Sequence, residues 1–192
     1  MTKLLLMFVA VLACGALPAV AAEEKDYKDM SPAEYRQKVH NDVLTVVARV
    51  KKLDPGIERF FKDSAGYVVF PRVGKAGFIV GGGGGDGELF EKGRVMGMAR
   101  ITLASIGLQA GVQDFSQVIF FKDQAALDRF KQNKFEFAAN MSAVIIAAGA
   151  SKGADYRDGV AVFTHATAGA MAEAALGTQK FNYKPDGAKA KK

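Results

Sequence analysis

The sequence predicts an α+β fold: an N-terminal helical region followed by a compact, mostly antiparallel β-rich domain with one further helix near 123–132. Three observations predict it. Apolar residues recur at helical spacing from Tyr35 to Val50, the period then shortens to strand-like Val/Ile/Phe runs from Tyr67 onward, and glycine and proline punctuate those runs. With 192 residues, 49% hydrophobic and 24% charged, the chain has room for one well-buried domain, which excludes intrinsic disorder and collagen-like repeats.

The chain begins with an address. Lys3 precedes the apolar stretch Leu4 to Leu12, and Ala19-Val20-Ala21-Ala22 follows Pro18, so residues 1–22 read as a signal peptide and the protein as exported. The apolar stretch is too short to span a bilayer as a helix, and no later segment approaches ~20 uninterrupted apolar residues. Cleavage after Ala21 or Ala22 is the favoured reading, and it removes Cys14, the only cysteine. The alternative is lipidation at Cys14, since Val11-Leu12-Ala13-Cys14 loosely resembles a lipoprotein cleavage box. That would tether the domain to the periplasmic side of a membrane or to the outer membrane.

Residues 23–65 form the helical region. Ser31-Pro32-Ala33-Glu34 reads as a capping box with proline in the first turn. Tyr35, Val39, Val43, Val46 or Val47, and Val50 then form an apolar stripe, with Arg36, Lys38, Asp42, Arg49 and Lys51 off it. Charges of mixed sign favour a helix packed on a core over one lying in a membrane interface. Asp54-Pro55 restarts the pattern, Ile57, Phe60 and Phe61 give a second short stripe, and Gly66 stops it.

From Gly66 the reading is of strands. Tyr67 to Phe70 is a buried run stopped by Pro71, Gly77 to Val80 is another, and Gly81 to Gly85 reads as a flexible turn between strands. Ile106, Leu108, Ala110 and Val112 alternate with Gly107, Gln109 and Gly111, and Val118 to Phe121 is a further strand. Asp123 caps a helix carrying Ala126, Leu127 and Phe130, extended sequence runs from Phe135 to Ala150, and Ser151 to Gly159 is turn-rich. Gly159-Val160-Ala161-Val162-Phe163 echoes Gly66-Tyr67-Val68-Val69-Phe70. By helix propensity Ala168 to Leu176 would be helical, but the echo argues for strand, which is the prediction taken here.

No catalytic constellation survives inspection. Gly149-Ala150-Ser151-Lys152-Gly153 fits a nucleophile elbow in letters, with Asp155, Asp158 and His165 following, yet all fall within fifteen residues around a turn. His40 and His165 stand in no ligand-spaced pattern, and Asp86 puts negative charge where a phosphate loop would hold phosphate. The reading is of no enzyme, no metal, no cofactor and no nucleic-acid partner.

A resemblance runs from Tyr67 to about Pro185. Tyr67-Val68-Val69-Phe70-Pro71, Lys75-Ala76-Gly77-Phe78, Gly81-Gly82, Gly107-Leu108-Gln109-Ala110-Gly111, Ser116-Gln117-Val118-Ile119 and Gly177-Thr178-Gln179-Lys180-Phe181 occur in order. Together they resemble a bacterial SYLF lipid-binding domain, a family related to a yeast actin-regulator group. Residues 66–183 are its expected extent. The resemblance implies a non-catalytic α+β domain that binds acidic phospholipids, and actin in the yeast group. The plain run Gly81 to Gly85 departs from the family pattern, which usually carries bulky or charged residues there.

The expected partner is therefore an anionic phospholipid or membrane surface in the cell envelope. The alternative is a structural or protein-binding module of the envelope without a lipid site, with actin as partner only in a eukaryotic source. Phosphate is held by positioned Lys/Arg, so Arg72 and Lys75, in the Pro-x-x-x-Lys-Ala-Gly segment, are the first candidates. Arg49, Lys51, Lys52, Arg59 and Lys62 are the second. Net charge gives little help: of the formal +6, three units fall in a predicted basic disordered tail, 184–192.

Overall fold

The structure, a computed structural model, describes residues 30–134, 136–138 and 144–187, with backbone alone at 78–80, 106–112, 136–138 and 168–177. The predicted signal segment 1–22, with Cys14, lies outside the described residues. Helix α1, Pro32–Leu53, opens as its sequence dictates: Glu34 N–H donates to Ser31 Oγ at 3.3 Å and Ser31 N–H to Glu34 Oε2 at 2.8 Å. Its stripe Val39, Val43, Val46 and Val50 is buried, each valine contributing about 1.5–3 kcal/mol of burial. A 3-10 turn, Pro55–Ile57, leads to the short α2, Glu58–Asp63.

Three long strands follow: β1 Gly66–Glu91, β2 Arg94–Phe121 and β5 Val160–Pro185. Between the last two come α3, Gln124–Lys131, and the short β3, Glu136–Ala138, and β4, Val144–Ile145. Asp123 caps α3 by accepting from Ala126 N–H at 2.9 Å. The sheet order is β1-β2-β5-β3, antiparallel throughout, with β4 parallel to β5. Residues 168–176 are strand, paired with β2, so register rather than helix propensity governs them. Of the extended stretch expected over 135–150, β3 and β4 are strands, 135 and 139–143 lie outside the described residues, and Ala150–Gly153 is a 3-10 turn.

Two expectations about β1 are corrected. Pro71 does not end the strand. The β1–β2 register shifts between Phe70 and Val73, and this irregularity accommodates a residue with no N–H. Nor is Gly81 to Gly85 a flexible turn, for it is paired with β2 from Gly81↔Ser105 to Gly85↔Ile101. The reason is steric. A Cβ on Gly83, Gly85 or Gly87 would lie 2.0, 2.0 and 2.1 Å from the carbonyl oxygens of Gly74, Arg72 and Val69. The second half of β1 thus runs directly against the backbone of its first half, and only glycine admits that approach.

Folding the long strands over in this way creates two apolar clusters. One gathers Val68, Phe70 and Val73 with Leu89, Ile101, Phe181 and Tyr183, and α3 joins it through Leu127 and Phe130. The other lies on the opposite sheet face, where α1 and α2 cover Val69, Phe90, Val118, Phe120, Ala161 and Phe163. Residues 67–70, 118–121 and 160–163 therefore read as unbroken apolar runs because both of their faces are covered. Gly66 and Val160 both pair with Phe121, so the echoing segments flank one stretch of β2 one residue out of step, and the matching Phe70 and Phe163 fall in opposite clusters.

The predicted tail starts later than Lys184. Lys184 and Pro185 belong to β5, Tyr183 donates from its hydroxyl to Met96 O at 2.8 Å, and Asp186 N–H bonds Met96 O at 3.0 Å. Residues 188–192 lie outside the described residues.

Candidate functional site

The predicted cations fall on different elements. Arg72, exposed, and Lys75, half-buried, sit on the first half of β1, where Lys75 faces Gln113 across the ladder. Arg49 and Lys52 are exposed on α1, and Lys62 is exposed on α2. Two candidates are held by partners within the protein. Lys51 pairs with Glu58 at 2.9 Å and lies 4.5 Å from the Phe61 ring centre. Arg59 donates to the carbonyls of Ser151 and Ala154 at 2.7 and 2.8 Å.

The outer face of α1 carries what the sequence reading passed over. Leu44 is 50% exposed, on the side turned away from the buried valines, whereas Leu53, 38% exposed at the helix end, stands three residues on from Val50 and continues their stripe. Steps of four along the helix place Leu44, Ala48 and Lys52 on one ridge and Thr45, Arg49 and Leu53 on the next. Leu44 thus shares the outer surface with Lys52, with Arg49 on the next ridge, while Leu53 lies about 180° round the helix from Leu44. The signal was present in the sequence: Leu44 falls outside the stripe that Val39, Val43, Val46 and Val50 define.

Polar contacts fix this helix. The Tyr35 hydroxyl donates to Asp86 Oδ2 at 2.5 Å, Arg100 reaches Asp86 at 3.1 and 3.2 Å, and His40 Nδ1 lies 2.8 Å from Glu88 Oε2. Asp86, opposite Arg100 in the β1–β2 ladder, is therefore an anchor for α1. Beyond the helix end, buried Asp54 accepts from Ser151 N–H at 2.6 Å and Gly56 N–H at 3.1 Å. Burial alone would raise this carboxyl. Hydrogen bonds from Ser151, Gly56 and Gly149 outweigh it and hold the group below its ordinary value.

A cleft of about 70 Å³ is lined by Arg59, Phe60, Asp63, Ala154, Asp155 and Tyr156. Burial, reinforced by Asp63 and opposed by Arg59, pushes the Tyr156 phenol up to about 12. Among the described residues no group of three or more His, Cys, Asp or Glu could hold a metal ion, and no helix is long and apolar enough to cross a membrane. Ser151, the serine of the formal elbow, is buried in the Ala150–Gly153 turn with its amide on Asp54.

Residues 102–189, from β2 to beyond the end of β5, match the model of a family described as Ysc84, Las17-binding protein actin regulator. These residues belong to that family. The Ysc84 match takes in the motifs at Gly107–Gly111, Ser116–Ile119 and Gly177–Phe181, whereas those at Tyr67–Pro71 and Lys75–Phe78 precede it. These earlier motifs pair along β1 with the matched β2. No curated protein matches the chain.

Proposed function

We propose that the protein is an exported cell-envelope protein that binds anionic phospholipid surfaces peripherally and performs no chemistry on them. The observation that carries this reading is the outer face of α1, where Leu44 stands exposed with Lys52 on the same ridge and Arg49 on the next. Apolar side chains that enter the acyl boundary, flanked by cations that meet phosphate, are what a peripheral contact requires. Support comes also from the resemblance to lipid-binding SYLF domains over Tyr67 to Pro185, and export rests on Lys3, the apolar stretch Leu4 to Leu12 and Ala19 to Ala22. In this reading Arg72, Lys75 and Lys62 are further headgroup contacts, while Lys51 and Arg59 act through the fold. A lipid anchor at Cys14 would hold the same domain at a membrane face.

Co-sedimentation with vesicles tests the proposal. The protein is expected to pellet with phosphatidylcholine vesicles containing phosphatidylglycerol and not with phosphatidylcholine alone. Leu44→Ser with Lys52→Gln, both on exposed positions of the outer ridge, should weaken pelleting while leaving thermal unfolding unchanged. Equal, negligible binding to both vesicle types would reject the reading.

The family description supports a second reading, a protein-binding module, with actin as partner only in a eukaryotic setting. Filament co-sedimentation without vesicle binding would favour it.

A further inference from the structure

A second set of exposed cations lies where the β1–β2 hairpin turns. Glu91 and Arg94 pair across a two-residue turn, Lys92-Gly93, with φ +49° and +75°. Two successive left-handed residues match the twist of the strands they join, and asparagine or glycine usually fills the first position. Here it is a lysine, which accepts an uncommon backbone conformation and has its side chain exposed at the hairpin tip, two residues from exposed Arg94.

The C-terminus of α3 sits beside this turn. Lys131 Nζ forms an ion pair with Glu91, so the carboxylate next to the turn is neutralised within the protein. Lys134, three residues further on, is exposed. α1 reaches the same end of the sheet. It meets β1 at Tyr35–Asp86 and His40–Glu88, so it advances in the direction of the second half of β1. Five helical residues rise about 7.5 Å and two strand residues about 6.6 Å. The helix beyond His40 is therefore directed towards the hairpin end of the sheet, whereas Arg72 and Lys75, whose backbone lies beside Gly85 and Gly83, are further from it.

We infer that Lys92, Arg94 and Lys134 form a second cationic contact, at the hairpin end, for the anionic phospholipid surface met by α1. The inference rests on the lipid reading above. The chemistry favours a headgroup layer over an acidic polypeptide. Protein partners usually bind through large anchors buried in well-packed pockets, and the exposed large apolar residues described, Leu44, Leu53 and Ile145, are all off the hairpin. A headgroup layer needs only point charges long enough to reach it.

The test is a variant carrying Lys92→Asn, Arg94→Gln and Lys134→Gln. Asparagine suits the left-handed conformation at position 92, so the thermal midpoint should not fall. Binding to mixed phosphatidylcholine and phosphatidylglycerol vesicles should weaken by about fivefold per charge removed. Unchanged affinity of the triple variant would overturn the inference and leave the lipid reading standing on α1. If the unsubstituted protein ignores anionic vesicles, the reading and the inference fall together. Retention on polyglutamate without vesicle binding would overturn both in favour of an acidic polypeptide partner.

Discussion

Asp54 shows how a single buried charge ties distant segments together. Its carboxylate bonds the amides of Ser151 and Gly56, joining the turn after α1 to the Ala150–Gly153 turn. Because its folded-state value lies below the unfolded one, near 3.8, the folded protein holds fewer protons there than the unfolded chain. Its contribution is thus fully present above that pH and is lost as pH falls through the folded value. Urea unfolding between pH 6 and pH 3 should show stability declining at the acid end, with Asp54→Asn less stable by about 2 kcal/mol at neutral pH and flatter below it. Equal acid slopes for the two proteins would contradict this role. Sequence inspection gave Asp54 only as a break before Pro55, because its partner at Ser151 is 97 residues away.

At the scale of elements, what depends on neighbours in sequence was legible and what depends on distant backbone was not. The capping box at Ser31, the valine stripe, the Asp123 cap and the runs at 67–70, 118–121 and 160–163 all follow from local periodicity and capping chemistry. The glycine run was misread because a row of glycines carries no apolar pattern. Its spacing held the missing signal, since Gly83, Gly85 and Gly87 lie on one strand face at period two. Two substitutions separate a close-packed strand from a flexible turn. Gly85→Ala puts a Cβ 2.0 Å from Arg72 O and should cost about 3 kcal/mol or more, whereas Gly82→Ala, 3.6 Å from Leu103 O, should be tolerated. Equal tolerance at both positions, read by thermal or chemical unfolding, would argue against the packed strand.

For the whole molecule, the folded-over sheet closes one apolar cluster with α3 and places the other under α1 and α2. Burying the valine stripe leaves Leu44, Arg49 and Lys52 facing outward, so the same helix supplies core and candidate membrane contact. The candidate site was only partly legible. Counting Lys and Arg found Arg49 and Lys52 but could not tell them from Lys51 and Arg59, whose partners Glu58, Ser151 and Ala154 appear only once the chain is folded. The hairpin cations escaped notice because Lys92 and Arg94 join Lys134 only through the contact between Lys131 and Glu91.

The most direct test of anionic-surface binding is a vesicle binding isotherm taken at low and at high salt, on phosphatidylcholine with and without phosphatidylglycerol. Contacts made by exposed cations are screened as ionic strength rises, so binding should require the anionic lipid and weaken steeply with salt. Binding that is absent, or indifferent to both lipid charge and salt, would contradict it.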